Sequence, residues 1–123
     1  MPSNRKVEKV LEKINQYEKE FFGSEERREE GFSYGGFLGV KEHTDYLLDS
    51  AKECKISDAV DEAYNLGYEA ALLGVLINDD YERGKVFRSK KEAEAAKKEA
   101  LKISDEAIKV AADIAKACLQ RKM

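Results

Sequence analysis

The last 35 residues of the chain, from Ser89 to Met123, constrain the fold most strongly, because they contain no glycine, no proline and no aromatic residue. Apolar or small side chains recur there in alternating steps of four and three, which is the spacing of one face of an α-helix. Ser89, followed three residues later by Glu92, fits a capping box at the start of such a helix. We therefore predict one long C-terminal helix of roughly 50 Å. Its inner stripe consists of Ala96, Ala100, Ile103, Ala107, Val110, Ile114 and Ala117.

The composition of the whole chain favours a single all-α domain over residues 1–123. Its only proline is Pro2, whereas a chain of this length usually carries about six. Charged residues make up 38% of the chain and the net charge is only −3, so opposite charges are mixed, as they are on exposed helix faces. The length is sufficient for a core without disulfides or a structural metal. We predict an antiparallel bundle of four main helices with a long, Ala-rich C-terminal helix.

The other three main helices are predicted from the same helical period, over about residues 3–22, 40–55 and 57–77, with Ser57 as an N-cap. Between the first two lies the charged run 25–30, followed by the stretch 31–39. Four glycines among those nine residues argue against a stable helix. We interpret residues 25–40 as an ordered aromatic loop packed on the bundle, with the option of a short helix before it.

Small residues form a stripe along the third main helix. Each glycine inside a helix costs about 1 kcal/mol relative to alanine, so we expect close packing against the Ala-rich last helix to offset that cost. The last helix is longer than the others and should project past them, leaving an apolar face that needs a cover. We therefore predict a homodimer or a helical protein partner. The stripe consists of Ala59, Ala63, Gly67, Ala70, Ala71 and Gly74.

Cysteine and histidine usage gives no sign of a metal or redox site. Cys54 and Cys118 both fall at apolar helix positions, which predicts buried free thiols rather than a disulfide. The chain has no C-x-x-C pair, and His43 is its only histidine. We interpret His43 as a surface or capping residue. No apolar run is long enough to span a bilayer and no signal peptide is evident, so we expect a cytoplasmic protein that does not associate with membranes.

One pattern of acidic residues suggests an alternative, enzymatic function. Glu25-Glu26-x-x-Glu29 is followed by Glu42-x-x-Asp45, and this pattern resembles the metal-binding motif of the all-α nucleoside triphosphate pyrophosphatases. The resemblance implies that carboxylates on two neighbouring helices hold Mg²⁺, which activates a water molecule against a nucleotide phosphate. These five carboxylates would then be both the metal ligands and the catalytic groups of a nucleotide hydrolase.

A basic segment suggests a second alternative function, the binding of anions. Between Arg83 and Lys98 there are seven cationic side chains and only two acidic ones. Some of the cations fall in the first turn of the last helix, and helix N-termini attract anions. Nucleic acid is a less favoured ligand, because Phe87 is the only aromatic residue in the segment and the chain as a whole is slightly acidic. The candidate anion-binding residues are Arg83, Lys85, Arg88, Lys90 and Lys91.

No motif settles the function, and the sequence favours a non-enzymatic helical-bundle module for protein–protein interaction, with no cofactor. Its expected working surface combines the exposed part of the last helix with three aromatic side chains of the predicted loop, namely Phe32, Tyr34 and Phe37. An enzyme is the less favoured class.

Overall fold

The structure is a computed structural model that describes the backbone of residues 2–122 and the side chains of residues 5–121. Within that part of the chain there are five α-helices and no strand. The predicted all-α bundle of four main helices is therefore confirmed, with one short helix added. In chain order the helices are α1 (Pro2–Phe22), α2 (Glu25–Glu30), α3 (Ser33–Lys52), α4 (Ile56–Glu82) and α5 (Lys90–Lys122).

The four long helices alternate in direction. The hydroxyl of Tyr17, late in α1, donates to the carbonyl oxygen of Ala96, early in α5, at 2.8 Å. Lys97 on α5 likewise lies 3.0 Å from Asn78 near the end of α4. The helix α4 packs along α3 on one side and α5 on the other, and the described backbone of α1 does not come close to that of α4. One whole side of α4 therefore faces outward.

Aromatic rings fill one end of the core, where the C-terminal half of α1 meets the start of α3. The rings of Tyr17 and Phe37 are stacked with their centroids 5.4 Å apart, and Phe22 lies 5.7 Å from Phe37. Phe87, in the connection before α5, closes this end against Phe22. Burial of each such ring contributes about 2–3 kcal/mol, so this cluster fixes α1 and α3 relative to one another.

The prediction of an aromatic loop over residues 25–40 was wrong beyond its optional short helix. Residues 25–30 form α2, and α3 begins at Ser33, seven residues before the predicted start. The glycines are tolerated in the helix because packing requires one of them. Gly36 is buried, and a Cβ at that position would lie 2.8 Å from the Leu76 side chain on α4. Tertiary contacts therefore override the low helix propensity of this stretch.

The third main helix is also longer than predicted, since α4 starts at Ile56 and continues to Glu82 instead of stopping near Ile77. Its N-cap residue is Lys55 and not Ser57. Gly84 ends the helix with a φ of +71°, and the N–H of Lys85 donates to the carbonyl oxygen of Asp80 at 2.8 Å. A glycine in this left-handed conformation is a common helix terminator.

The predicted contact between the small residues of α4 and those of α5 holds only in part. Ala59 and Ala70 are buried in the core, as are Ala100 and Ala107 of α5. The two glycines of the stripe are different, because a Cβ added at Gly67 or at Gly74 would meet nothing within 4 Å. The prediction that these glycines allow close packing of α4 on α5 was therefore wrong.

The long helix α5 starts as predicted and is covered along its length. The hydroxyl of Ser89 accepts the N–H of Glu92 at 3.0 Å, and the Glu92 carboxylate accepts the N–H of Arg88 at 2.9 Å. Five of the seven residues of the predicted inner stripe are buried, whereas Val110 is half-buried and Ala117 is exposed, and the buried positions continue to Cys118. The expectation of a projecting helix with a surplus apolar face was therefore wrong for α5.

The prediction of two free thiols was also wrong, because Cys54 and Cys118 form a disulfide. Cys54 lies in the turn between α3 and α4 with a φ of +61°, and Cys118 lies one turn before the end of α5. Their Cα atoms are 5.7 Å apart although the residues are separated by 64 positions in sequence. The bond closes the end of the bundle opposite to the aromatic cluster.

Candidate functional site

The carboxylates of the acidic pattern lie on two helices but do not converge. Glu25, Glu26 and Glu29 are exposed on α2, where Ser24 caps the helix by accepting the N–H of Arg27 at 3.2 Å. Among residues 5–121, no three His, Cys, Asp or Glu side chains are arranged to hold a metal ion. The geometry thus gives no support to the ligand set that the resemblance implies.

Glu42 and Asp45, the two carboxylates of the acidic pattern that lie on α3, interact with residues of their own helix. Glu42 accepts a hydrogen bond from the hydroxyl of Tyr46 at 2.9 Å. Burial, and after it the neighbouring Asp49 carboxylate, raises the pKa of Asp45. The nearby histidine is half-buried, with Nδ1 of His43 2.7 Å from a carboxylate oxygen of Glu62. This contact links α3 to α4 and is a packing interaction, so the interpretation of His43 as a surface residue was incomplete.

The cations of the basic segment are partly engaged by acidic neighbours. Arg83 pairs with Asp79 at 3.0 Å, and Arg88 lies 3.9 Å from Glu26 on α2 and 3.8 Å from Glu30. Lys85, Lys90 and Lys91 are exposed. The Arg88 contacts tie the connection before α5 to α2, whereas the Arg83 pair stays within the end of α4.

The three aromatic candidates for the interaction surface differ in how far they are exposed. Phe37 is buried in the core, so its assignment to an interaction surface was wrong. Tyr34 is half-buried, and its hydroxyl donates to Glu18 at 2.7 Å. This hydrogen bond lowers the pKa of Glu18 and raises the pKa of Tyr34. Only Phe32 is well exposed, and the guanidinium of Arg83 covers its ring at 5.2 Å.

An extended uncovered apolar surface lies on α4, a site that the sequence analysis missed. Five large side chains of its outward side are between 38% and 77% exposed, the two highest values being those of Tyr64 and Tyr68. They recur at helical spacing. We name this surface the α4 face; it consists of Val60, Tyr64, Gly67, Tyr68, Ala71, Leu72 and Val75.

The α4 face contrasts with the rest of the surface in charge. Between Ala63 and Ile77 the only charged residue is Glu69, and Glu69 lies on the α3 side of the helix, where its carboxylate approaches Gly39. A helix section with so little charge favours a buried environment, yet α3 and α5 cover only part of its circumference. This run with a single charge is the sequence signal that could have revealed the face.

The two glycines of α4 make a shallow notch beside the tyrosines. Gly67 is exposed, and the space above both Gly67 and Gly74 is open. Each glycine costs about 1 kcal/mol of helix stability, and no contact within the described chain offsets this cost.

An apolar cleft adjoins the N-terminal end of the α4 face. Its volume is about 130 Å³, and every residue that lines it is apolar. Val60 belongs to both the cleft and the α4 face. The other wall comes from α5, where Ile108 and Ala112 are accessible. A protruding apolar side chain would be able to enter this cleft.

Charged residues lie beyond both ends of the α4 face. Between residues 49 and 62 there are five carboxylates and two lysines, and the carboxylates line an open groove of about 440 Å³ between α3 and α4. We name this the acidic end. At the opposite end of α4 lies the segment 83–98, with seven cations and two carboxylates, which we name the basic end. The last turns of α4 before this segment carry Asp79, Asp80 and Glu82, so the α4 face is an apolar strip with acidic residues of α4 at both ends.

Comparisons with protein families, with characterised proteins and with solved structures found no match to this chain. None of the helices in the described part combines the length and the apolar character that crossing a bilayer requires.

Proposed function

We propose that this protein is a non-enzymatic helical module that binds another protein through the α4 face. The observation that carries the proposal is the exposure of Tyr64 and Tyr68 at 77% and 71%, side by side in the run Ala63–Ile77, whose one charged residue lies on the α3 side. In a chain in which 38% of the residues are charged, an exposed run of fifteen residues with one charge is not accounted for by the fold.

The chemistry of the face fits a protein ligand. Tyrosine is enriched at binding hot spots because it combines a large apolar ring with a polar hydroxyl. Each square ångström of apolar surface removed from water contributes about 25 cal/mol. The notch at Gly67 suits a second helix, since small residues let two helix backbones come close. The proposal moves the working surface from the predicted α5 and aromatic segment to α4.

The exposed apolar residues elsewhere on the protein are isolated and are weaker candidates for a binding surface. Leu38 on α3 and Leu119 on α5 are each about half exposed, as isolated surface apolar residues of soluble proteins commonly are. The α4 face differs because its members are contiguous along four turns of one helix.

The cytoplasmic location predicted from sequence remains a prediction. The Cys54–Cys118 disulfide bears on it, because such bonds are rare in the reducing cytosol of most cells and common in oxidising compartments. The interaction proposal itself requires no particular compartment.

The test is site-specific photo-crosslinking in the native cells. A photoreactive phenylalanine analogue replaces Tyr64 or Tyr68 in the full chain, and a matched control carries it at Lys102, an exposed position on α5. We expect a discrete protein adduct from both α4 positions and none from the control. Equal adduct yields from positions 64, 68 and 102 would refute the proposal.

A further inference from the structure

We propose that the Cys54–Cys118 disulfide is a redox switch whose reduction releases the last turns of α5 from the rest of the bundle. We name these turns, residues 112–121, the α5 end. The switch lies outside the α4 face and does not depend on the proposed function. Three observations carry it: the few contacts that hold the α5 end, the unequal exposure of the two cysteines, and an arginine beside both sulfurs.

The disulfide is the main tie between the α5 end and the other helices. Within the α5 end only Ile114 and Cys118 are buried, whereas the part of α5 from 93 to 111 buries a side chain at every turn. Among the described side chains, the one ion pair of the α5 end joins Asp113 to Lys6 at 3.6 Å, and both are exposed. Exposed ion pairs contribute little to stability. Without the covalent bond, the α5 end is therefore held mainly by Ile114, and segments with so few buried contacts open locally.

The turn that carries Cys54 is closed by its own backbone. The N–H of Lys55 donates to the carbonyl oxygen of Ser50 at 2.9 Å, and the N–H of Cys54 donates to that of Ala51 at 3.0 Å. This pattern ends many helices, and Cys54 holds the left-handed position that glycine usually takes in it. The turn does not need the disulfide to form, so the α5 end is the part that we expect to move when the bond breaks.

The two cysteines differ in access to a reductant. Cys54 is half-buried, whereas Cys118 is only 1% exposed. The thiolate of a small-molecule thiol therefore attacks Sγ of Cys54, and Cys118 leaves as a thiolate while a mixed disulfide forms at Cys54. A second small-molecule thiolate then attacks the mixed disulfide, which releases the Cys54 thiolate and the oxidised reductant. The two electrons come from two thiols of the reductant, and each of these thiols has given its proton to water.

Arg121 is placed to promote the first of these steps. Its Nη2 atom lies 3.3 Å from Sγ of Cys118 and 3.7 Å from Sγ of Cys54. A positive charge at this distance stabilises the leaving thiolate, and a more stable leaving group speeds the exchange. Sγ of Cys118 also lies 3.6 Å from the carbonyl oxygen of Ala51. A thiolate is poorly solvated in this buried position, so reduction both breaks the tie and favours outward movement of Cys118.

Release of the α5 end changes the apolar cleft between α4 and α5. Ala112 and Ala115 of the α5 end form part of its wall, and Leu47 of α3 also lines it. Leu47 is only 1% exposed while the α5 end is in place. The oxidised chain thus keeps Leu47 covered, and the reduced chain exposes it. The switch therefore couples the thiol pool around the protein to the accessible apolar surface at this end of the bundle.

Hydrogen–deuterium exchange of the full chain tests the release. Exchange at short labelling times is measured by mass spectrometry before and after reduction with a phosphine, and thiol titration confirms complete reduction. We expect the protection of the α5 end to fall by at least about tenfold, while residues 93–107 stay protected. The double variant with Cys54→Ser and Cys118→Ser should exchange fast at the α5 end in both conditions. Unchanged exchange, or an equal increase in all helices, would overturn the switch.

The rate of reduction tests the role of Arg121. Native protein is treated with millimolar glutathione without denaturant. We expect Arg121→Glu to be reduced at least about tenfold more slowly than wild type, and Arg121→Lys to keep most of the rate because it keeps the charge. Lys102→Glu, at an exposed position earlier on α5, is the matched control and should react like wild type.

The mixed disulfide itself identifies the sulfur that is attacked. Acid quenching followed by mass spectrometry should find glutathione on Cys54. Equal slowing in Arg121→Glu and Lys102→Glu, or an adduct on Cys118 in place of Cys54, would overturn the assigned sequence of steps. A bond that glutathione reduces only in the presence of urea would be purely structural and would overturn the switch.

Discussion

Asp80, near the end of α4, caps a helix that begins 47 residues earlier in the chain. One of its carboxylate oxygens accepts the backbone N–H of Ser33 at 2.8 Å, and both oxygens lie 3.1 Å from the N–H of Phe32. Phe32 occupies the N-cap position of α3 but has no capping side chain of its own. The fully buried carboxylate of Asp80 supplies what the local sequence lacks.

Replacing Asp80 should therefore destabilise the fold. We expect Asp80→Asn to lower the free energy of unfolding by about 1–3 kcal/mol, because a charged acceptor of one buried and one partly buried N–H group is lost. The measurement is urea unfolding at neutral pH. Asp79→Asn is the matched control, since Asp79 is exposed in a surface ion pair, and it should change stability by less than about 1 kcal/mol. Equal losses in the two variants would contradict the capping role.

Reduction of the Cys54–Cys118 disulfide should also lower stability. The bond spans 64 positions, and loop-closure entropy of that size corresponds to about 4 kcal/mol. We expect the urea midpoint to fall on addition of a thiol-free reductant. The paired replacement of both cysteines by serine should match the reduced protein and show no response to the reductant. A wild-type midpoint that is unchanged by complete reduction would argue against a stabilising bond.

Tyr17 should make the protein sensitive to alkali. Burial, followed by the charges of Glu99 and Glu20, raises the pKa of Tyr17 well above its ordinary value of 10.0. Above pH 10 the unfolded state then loses this proton while the native state retains it, so stability falls as pH rises, at about 1.4 kcal/mol per pH unit. Below pH 10 the contribution is fully present.

The variant Tyr17→Phe isolates this effect. It loses the hydrogen bond to Ala96, which costs about 1 kcal/mol at pH 7, but it has no phenol to ionise. We expect the stability difference between wild type and variant to shrink above pH 10 and to change sign. Urea unfolding from pH 8 to about 11.5 measures it, with Tyr64→Phe on the exposed face as the control. A difference that stays constant across this range would count against the assignment.

Divalent metal should not change the melting temperature. Within residues 5–121 no metal-holding group is formed, so we expect thermal melts with and without millimolar Mg²⁺ or Mn²⁺ to agree within about 1 °C. A rise in melting temperature would indicate a site on the native state. If Glu29→Gln removed that rise, the nucleotide hydrolase would replace the interaction proposal, and hydrolysis of nucleoside triphosphates would be the next assay.

Polyanion binding through the basic end should be weak and salt-sensitive. Arg83 and Lys97 already have acidic partners, so we expect single-stranded DNA or polyphosphate to dissociate at about 0.15 M salt. Tight binding at that salt, lost in the double variant with Lys90→Glu and Lys91→Glu, would favour the anion-binding alternative. The control is the same double change at Lys9 and Lys102, which are exposed elsewhere.

Periodicity predicted the main helices because it is a local property. The inner stripe of α5 recurs in steps that only a helix can place on one face, and Ser89 with Glu92 marked its start correctly. The start of α3 was missed for the opposite reason. Nothing near Ser33 in sequence predicts a helix, since the cap comes from Asp80 and the space for Gly36 is set by Leu76.

What the sequence by itself determined is the all-α class, the four long helices and the mixed charge of their exposed faces. These follow from side-chain spacing and backbone propensity, which act over a few residues. The tertiary structure decided the Cys54–Cys118 bond and the side of α4 that remains uncovered. Both depend on which helices become neighbours: α4 has α3 and α5 beside it but not α1. A repeating apolar pattern indicates that one helix face is more stable when buried. Whether the chain itself buries that face depends on how the other helices pack around it.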